Sequence, residues 1–317
     1  MMTATNAGQT PIENALSDAW AQHHRYLLDV AYRMLGSVSE AEDAVQEAFT
    51  RLLRADVGSI ADVRGWLVTV VSRLCLDQLR SAKSRHETYV GPWLPEPVIG
   101  ADDPADDPAD RVTLDDSVRM ALLIVLERLS PAERAAFVLH DVFQFSFEAV
   151  AKIMEKSPAA CRQLASRARR HVQEETSPAR FDVNPADLNR VADQFIAAAT
   201  SGALNALMPV LDSNVVGHAD SGGLAPARRD LVTRRDVVAP PLLKVLAQRR
   251  AVLKPMPVNG EPGVVVLQDG RLPAAISLAV RDGLVIQIHA IVNPLKLAYA
   301  SAAINRPLVS PSGSFEA

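Results

Sequence analysis

Apolar residues in the first part of the chain recur every three or four positions, the period of a helix with one buried face. Between residues 14 and 54, Trp20, Leu27, Leu28, Ala31, Met34 and Leu35 keep that period until Gly36 ends the run. Ser39 then precedes EAEDAVQEAFTRLLR, whose acidic first turn and basic last turn suit a helix dipole. Val45, Ala48, Phe49 and Leu52 form its apolar stripe. A third helix is predicted from about Val63, through VRGWLVTVVSRLCLDQLRSAKSR.

The period is lost over residues 88–112, TYVGPWLPEPVIGADDPADDPADRV. Repeated prolines forbid a regular helix there, and the aspartates from Asp102 to Asp110 keep the segment solvated, so it reads as a linker. Trp93 is out of place in it, because solvation alone gives an indole no role. Helical spacing resumes in short pieces at Leu114–Leu129, Pro131–Asp141, Phe147–Met154 and Pro158–Val172. After Pro178 one more helix, Leu188–Thr200, leads into short strand-like runs: SNVVGHADSGG, LLKVLAQRR, PGVVVLQDGR, PAAISLAVRDG and LVIQIHAIV. Asp269-Gly270 and Asp282-Gly283 mark hairpins. The pattern therefore predicts helical domains at 12–87 and 114–177 flanking the linker 88–113, then an α+β domain with a curved antiparallel sheet at 183–303.

Composition narrows the function. At 317 residues, 48% hydrophobic and 22% charged, the chain is globular. It has no apolar run long enough for a bilayer, and its start lacks the basic and apolar stretches of a signal peptide; a cytoplasmic protein with no membrane partner is expected. Cys75 and Cys161 read either as two buried thiols or as a disulfide, and without partnered histidines they make no zinc site. His23 and His24 are adjacent and so diverge on a helix. Neither a metal nor a cofactor is expected.

The formal net charge is −4. Acid is concentrated early: residues 1–113 hold 17 acidic against 10 basic side chains, whereas residues 114–180 hold 9 against 10. Two basic clusters stand out from this background. In SFEAVAKIMEKSPAACRQLASRARRHV, Ser157-Pro158 is a helix start, and the preceding FEAVAKIM lies only a few residues away. That is the layout of a helix-turn-helix. Cys161, Leu164, Ala165, Ala168 and Val172 share one side, and Arg162, Gln163, Ser166, Arg167 and Arg170 the other, with no acid from Ala159 to His171. Arginine and glutamine can pair with base edges in the major groove, while further arginines neutralise phosphates. The second cluster is Arg73, Arg80, Lys83 and Arg85 against a single acid, Asp77, downstream of Trp66. Cations beside an aromatic ring suit a strand with unstacked bases, although Trp66 taken alone reads more readily as core.

An aromatic-basic helix followed, after a linker, by a helix-turn-helix resembles the extracytoplasmic-function (ECF) group of bacterial sigma-70-type factors. The matching stretches are EAEDAVQEAFTRLLR, VRGWLVTVVSRLCLDQLR, LERLSPAERAAFVLHDVFQFSFEAVAKIM and SPAACRQLASRARR. The strand-rich end, with WLPEP in the linker, is similar to the subgroup carrying a SnoaL-like C-terminal domain. The resemblance implies a fold of sigma-2 and sigma-4 helical domains followed by a cone-shaped α+β domain. It implies two partners, core RNA polymerase through its β′ and β subunits and promoter DNA at its −35 and −10 elements. Asp43, Glu47, Phe49, Leu52, Leu53 and Arg54 match the polymerase-docking helix. Trp66, Arg73, Asp77, Arg80, Lys83 and Arg85 match the −10 region, and Arg162, Gln163, Ser166, Arg167 and Arg170 the −35 reader. Arg73 stands where many relatives have asparagine, and Gln163-Leu164 replaces a Ser/Thr-Arg pair, so a promoter sequence of its own is expected. The linker residues Trp93, Leu94, Pro95, Glu96 and Pro97, with Asp220, Gly222, Gly223, Asn293 and Pro294, match the subgroup's interdomain regulatory motifs. Leu224 and Leu295 stand where a base and an acid are usual.

His218, Asp220 and His289 could face a shared cavity, where a His-Asp pair could do acid–base work. Three readings follow: a promoter-specificity factor modulated by its C-terminal domain, a one-component regulator sensing a small ligand there, and a small-molecule enzyme. The first accounts for the two N-terminal helices that a simple regulator does not need, and the last lacks a nucleophile, metal cluster or phosphate loop.

Overall fold

The computed structural model describes residues 11–86, 89–99, 120–175, 185–225, 230–246 and 251–304. Backbone contacts divide these into a helical unit and a sheet unit. The linker is shared between them: Trp93–Glu96 belongs to the helical unit, whereas Val90–Pro92 and residues 97–99 belong to the sheet unit.

In the helical unit, α1 (Pro11–Leu35), α2 (Val38–Arg54) and α3 (Val63–His86) pack pairwise as a three-helix bundle. Helix α1 stops at Gly36, whose φ of +70° favours glycine. Ser37 then caps α2, its hydroxyl accepting the Glu40 amide at 3.2 Å. The buried stripe of α2 runs Val38, Ala41, Ala44, Val45, Ala48, Phe49 and Leu52, as its spacing requires. Each large member contributes roughly 1.5–3 kcal/mol on burial. Four more helices follow: α4 (Met120–Arg128), α5 (Pro131–Phe137), α6 (Phe147–Met154) and α7 (Pro158–Glu175). The expected start of α4 at Leu114 lies outside the described residues. Helix α5 begins with a reciprocal Ser130/Glu133 capping box and Pro131 in its first turn, then runs into a π-turn over Val138–Val142.

The sheet unit opens with α8 (Pro185–Ser201) and the short α9 (Leu204–Leu207). Its strands are β1 (Leu211–Asp220), β2 (Val232–Thr233), β3 (Ala251–Pro255), β4 (Gly263–Gln268), β5 (Arg271–Arg281) and β6 (Leu284–Ile291). Helix α10 (Arg235–Leu246) interrupts them and α11 (Ala298–Ile304) follows them. The sheet order is β2-β1-β6-β5-β4-β3. Asp269-Gly270 and Asp282-Gly283 close the two hairpins with positive φ at both central positions, the geometry that matches strand twist. One pairing has no signature in the periodicity: β1 runs parallel to β6, with Gly217 beside Ile288 and His218 beside His289, in an otherwise antiparallel sheet. Phe195, Leu207, Leu243, Ile276 and Leu278 belong to the core formed with α8 and α10.

The run LLKVLAQRR is corrected. Its first part, through Leu246, is the end of α10, and β3 starts only at Ala251. Leu243 and Leu246 are buried one turn apart on this helix while Lys244 is exposed. A short apolar run does not distinguish strand from helix, and Pro240-Pro241, which stand inside the helix, gave the appearance of a boundary.

Cys75 and Cys161 are both free and fully buried. Burial pushes the Cys75 thiol far above its ordinary range and raises that of Cys161. Neither thiol should react with a water-soluble disulfide reagent in the native protein, and both should do so in denaturant; colorimetric thiol titration checks this.

Candidate nucleic-acid interface

The basic cluster of residues 146–172 is built as a helix-turn-helix. Ser146 caps α6 by accepting the Ala149 amide at 3.2 Å, and Glu155 ends it in the left-handed region. After a two-residue turn, the Ser157 hydroxyl accepts the Ala160 amide at 3.2 Å and Pro158 opens α7. Cys161, Ala165 and Ala168 are buried, small enough for close contact with α5 and α6. Arg162, Gln163, Ser166, Arg167 and Arg170 are all exposed on the other face. Arg162 leans on Glu148 at 3.2 Å and over the Phe147 ring, while Arg169 is tied to Asp141 of the π-turn. The face therefore keeps an uninterrupted cationic surface around Gln163 and Ser166.

The −10 set is spread along α3. Trp66 is half-buried, which leaves part of the indole accessible. Asp77 and Arg80 pair at 3.1 Å on the surface, and the side chains of Lys83 and Arg85 lie outside the described residues. Arg73 does something the sequence gave no reason to expect. Its guanidinium donates to the carbonyls of Lys152 (2.9 Å) and Ile153 (3.2 Å), and it pairs with Glu155 at 3.2 Å. Those carbonyls end α6, where the helix dipole is negative, so a cation caps them favourably. Helix α3 is thus joined through Arg73 to the first helix of the helix-turn-helix.

Other contacts reinforce that union. Buried Arg134 of α5 donates to the carbonyls of Leu126 (2.8 Å) and Met34 (2.9 Å) and pairs with Glu127 at 2.6 Å. Phe143 stands edge-on to Tyr26 and beneath Arg33. Arg33 in turn holds buried Asp29, whose carboxyl is raised by burial to about 6 despite the opposing pull of the guanidinium.

On α2, the sequence-derived set divides. Asp43, Leu53 and Arg54 are exposed, Leu53 by 58%, and Glu47 is partly exposed and paired with Arg51 at 2.8 Å. Phe49 and Leu52 face the bundle core instead, as members of the apolar stripe, so they cannot present themselves to a partner. Sequence reasoning missed Trp20. It is 39% exposed, stacks on His24 with centroids 4.2 Å apart, and tilts against Phe49 at 4.7 Å, adding an aromatic surface beside α2. Burial lowers the His24 pKa, which favours the neutral ring in that stack. The one signal for Trp20 was a large aromatic in a stripe otherwise made of smaller residues.

The linker explains its own odd composition. Trp93 lies against Gly36, where an added Cβ would come within 2.7 Å of the indole, and Leu94 is fully buried. The buried Glu96 carboxylate accepts the Val38 amide (2.8 Å), the Ser39 amide (3.3 Å) and the hydroxyls of Ser37 (2.9 Å) and Ser39 (3.1 Å). Its backbone is fixed as well, through its amide to Gly36 (2.8 Å) and the Tyr32 hydroxyl to its carbonyl (2.7 Å). Glu96 is therefore an anion seated on the positive end of α2.

Pro97 is buried, and the next residue is anchored in the sheet unit: Val98 donates to Asn259 Oδ1 at 2.6 Å and accepts from the Asn259 amide at 2.9 Å. In the same unit, the two C-terminal motifs meet. Asp220 accepts Lys296 Nζ at 2.7 Å in a buried ion pair and the Gly222 amide at 3.2 Å. Gly223, at φ +77°, lies against Val90, where an added Cβ would meet that side chain at 3.2 Å. Asn293 accepts the Leu295 amide at 3.0 Å, and Pro294 is exposed beside it.

The shared cavity expected for His218, Asp220 and His289 is not formed. The two imidazoles meet edge to face at 5.2 Å, and Asp220 is taken up by Lys296. A cavity of about 480 Å³ lies beside the sheet, lined by Gly217, His218, Ala219, Ile288 and Ala290 among others but by neither Asp220 nor His289. Among the described residues no cluster of His, Cys, Asp or Glu could hold a metal, and no helix is long and apolar enough to cross a membrane.

Family models described as Sigma-70 region 2 and Sigma-70, region 4 match residues 19–85 and 119–172. The chain is 43% identical over 288 residues to the "Probable ECF RNA polymerase sigma factor SigI" of Mycobacterium tuberculosis, covering 89% of this chain and 94% of that protein. It is 40% identical over 300 residues to the "ECF RNA polymerase sigma factor SigJ" of the same organism, covering 91% and 95%. The crystal structure of M. tuberculosis SigJ is similar throughout, with a TM-score of 0.70 and 39% identity over 89% of this chain and 98% of that one.

Glu96→Ala should remove the carboxylate cap and lower the stability of the helical unit by about 2 kcal/mol. A reduced urea midpoint by circular dichroism, with Glu96→Asp falling between the two, is the expected outcome.

Proposed function

The chain belongs to the extracytoplasmic-function (ECF) sigma factors of RNA polymerase, and on that premise we propose how its residues divide the work of promoter-specific initiation. Its regions 2 and 4 bind core polymerase and promoter DNA. The single observation that carries the residue-level reading is the exposed face of α7, where Arg162, Arg167 and Arg170 surround Gln163 and Ser166 with no acidic residue of the helix among them. Arg162, Arg167 and Arg170 neutralise phosphates and orient α7, and Gln163 with Ser166 reads base edges of the −35 element. The exposed edge of α2, Asp43, Glu47, Leu53 and Arg54 with the Trp20 surface, docks on the polymerase, while Phe49 and Leu52 support it from inside. Trp66, Arg73 and Arg80 engage the −10 element. The protein acts by binding, in the cytoplasm with the polymerase, and does no chemistry of its own. In support, the His218 and His289 rings meet edge to face and Asp220 is held in an ion pair by Lys296.

Arg73 cannot cap α6 and contact a promoter strand together. Initiation therefore requires Arg73 to leave Lys152, Ile153 and Glu155, which loosens one of the joints between region 2 and region 4 while the Arg134 bond to Met34 holds. The sheet unit modulates that step through the linker. Glu96, which caps the docking helix, is two residues from Val98, which Asn259 holds, so tension in one anchor is passed directly to the other.

Three outcomes are expected. Arg167→Ala should weaken initiation across promoters, whereas Gln163→Ala should relax the preference at one −35 position by about 1–3 kcal/mol; run-off transcription on −35 variants separates them. Leu53→Asp should weaken core binding by about tenfold or more, roughly 1.4 kcal/mol, with an unchanged melting curve because the side chain is exposed. Asn259→Ala should speed initiation without altering −35 preference. Unchanged kinetics for that variant would remove the linker from the modulating role.

A further inference from the structure

The sheet unit leaves a space that its own side chains do not fill. Protein interiors are packed nearly as densely as organic crystals, yet about 480 Å³ stands open between the sheet and α10. That is within the roughly 300–1,000 Å³ of small-molecule sites. The cause is local. The core is filled by Ile276, Leu278 and Ile288, but beside them the strands turn to Ala219, Ala274 and Ala290, and these small residues make a smooth floor. Ala219 and Ala290 are register partners on β1 and β6, and Ala290 is in turn opposite Ile276 on β5, so the floor spans three strands. Above it, α10 is kept from collapsing inward. Pro240 and Pro241 stand inside that helix, where each lacks the N–H for its hydrogen bond one turn back and its ring pushes the preceding turn away. Pro241, Leu242 and Val245 of this helix form the roof.

The lining decides the ligand class. Its charged members, Asp230 and Lys244, are exposed at the rim. His218 contributes to the wall, but its ring is engaged with His289, which does not line the cavity. An ionised ligand would lose its hydration without a buried partner of opposite charge, a cost of several kcal/mol. A polar one would lack the convergent donors and acceptors that fix such molecules. An apolar cavity of this kind stays dry and takes apolar guests. We propose that the sheet unit binds one uncharged, flat, largely apolar small molecule between the alanine floor and the proline-bent α10. This site stands whether or not the sheet unit modulates initiation. Its floor strand β1 ends at Asp220, the residue gripped by Lys296, so occupancy also has a physical route to the two C-terminal motifs.

The test titrates the full-length protein with N-phenyl-1-naphthylamine, a neutral apolar fluorophore. Saturable enhancement at one molecule per chain and a raised melting temperature are expected, since a ligand of the folded state stabilises it. Ala290→Phe, filling from the floor, and Leu242→Trp, filling from the half-exposed roof, should each weaken binding tenfold or more. Leu295→Ser, at a 72% exposed position away from the cavity, should leave it unchanged. The inference is overturned if either filling variant melts cooperatively yet binds as the parent does, or if Leu295→Ser abolishes the signal. It is equally overturned if the anionic relative 1-anilinonaphthalene-8-sulfonate binds more tightly and depends on Lys244.

Discussion

The helical unit depends on a carboxylate placed where a helix most needs one. The first amides of an α-helix have no partner inside it, and the summed peptide dipoles make that end positive. Helix α2 begins at Val38 in a buried environment, so its first amides require an acceptor that is itself buried. Glu96 supplies it across 58 residues of sequence from Val38. The same four contacts satisfy a charge that would be costly to bury alone. This one interaction fixes the start of α2, draws Trp93 and Leu94 onto the bundle, and sets where the linker leaves for the sheet unit.

Arg73 and Arg134 follow a related logic. Each satisfies carbonyls at the end of a helix belonging to another part of the unit, Arg73 at the end of α6 and Arg134 at Leu126 and Met34. Arg134 is buried and paired with Glu127, so it is a fixed structural bond. Arg73 is 46% exposed at its side chain and lies among partners that water can replace, so its bond is weaker and reversible. The unit thus carries both kinds of joint, one that is fixed by burial and one that solvent can exchange.

Much of the interface was legible in the sequence. The Ser157-Pro158 start, the small inner residues of α7 and the one-sign outer face all came from spacing and capping rules, which are local. The stripe of α2 was equally plain, and it already implied that Phe49 and Leu52 face inward. Assigning them to the docking surface took the family's motif over the periodicity, and burial corrects it. The LLKVLAQRR run failed for a different reason: its apolar residues suit a strand or a helix alike, and only the packing of Leu243 and Leu246 decides.

What the sequence by itself determined, then, are the properties that depend on neighbours in the chain: helix starts and stops, the Asp-Gly hairpins, the sidedness of α7 and the basic clusters in an acidic chain. Tertiary structure alone decided the rest, because those features are meetings of distant residues. Glu96 on α2, Arg73 on α6, Asp220 with Lys296 and the parallel β1–β6 pair each join segments separated by 58 residues or more, and no local periodicity encodes such a partner. The cavity belongs with them. Ala219, Ala274 and Ala290 are ordinary strand residues one at a time; only the sheet's register pairs Ala219 with Ala290, sets Ala290 opposite Ile276 two residues from Ala274, and so brings all three to one cavity.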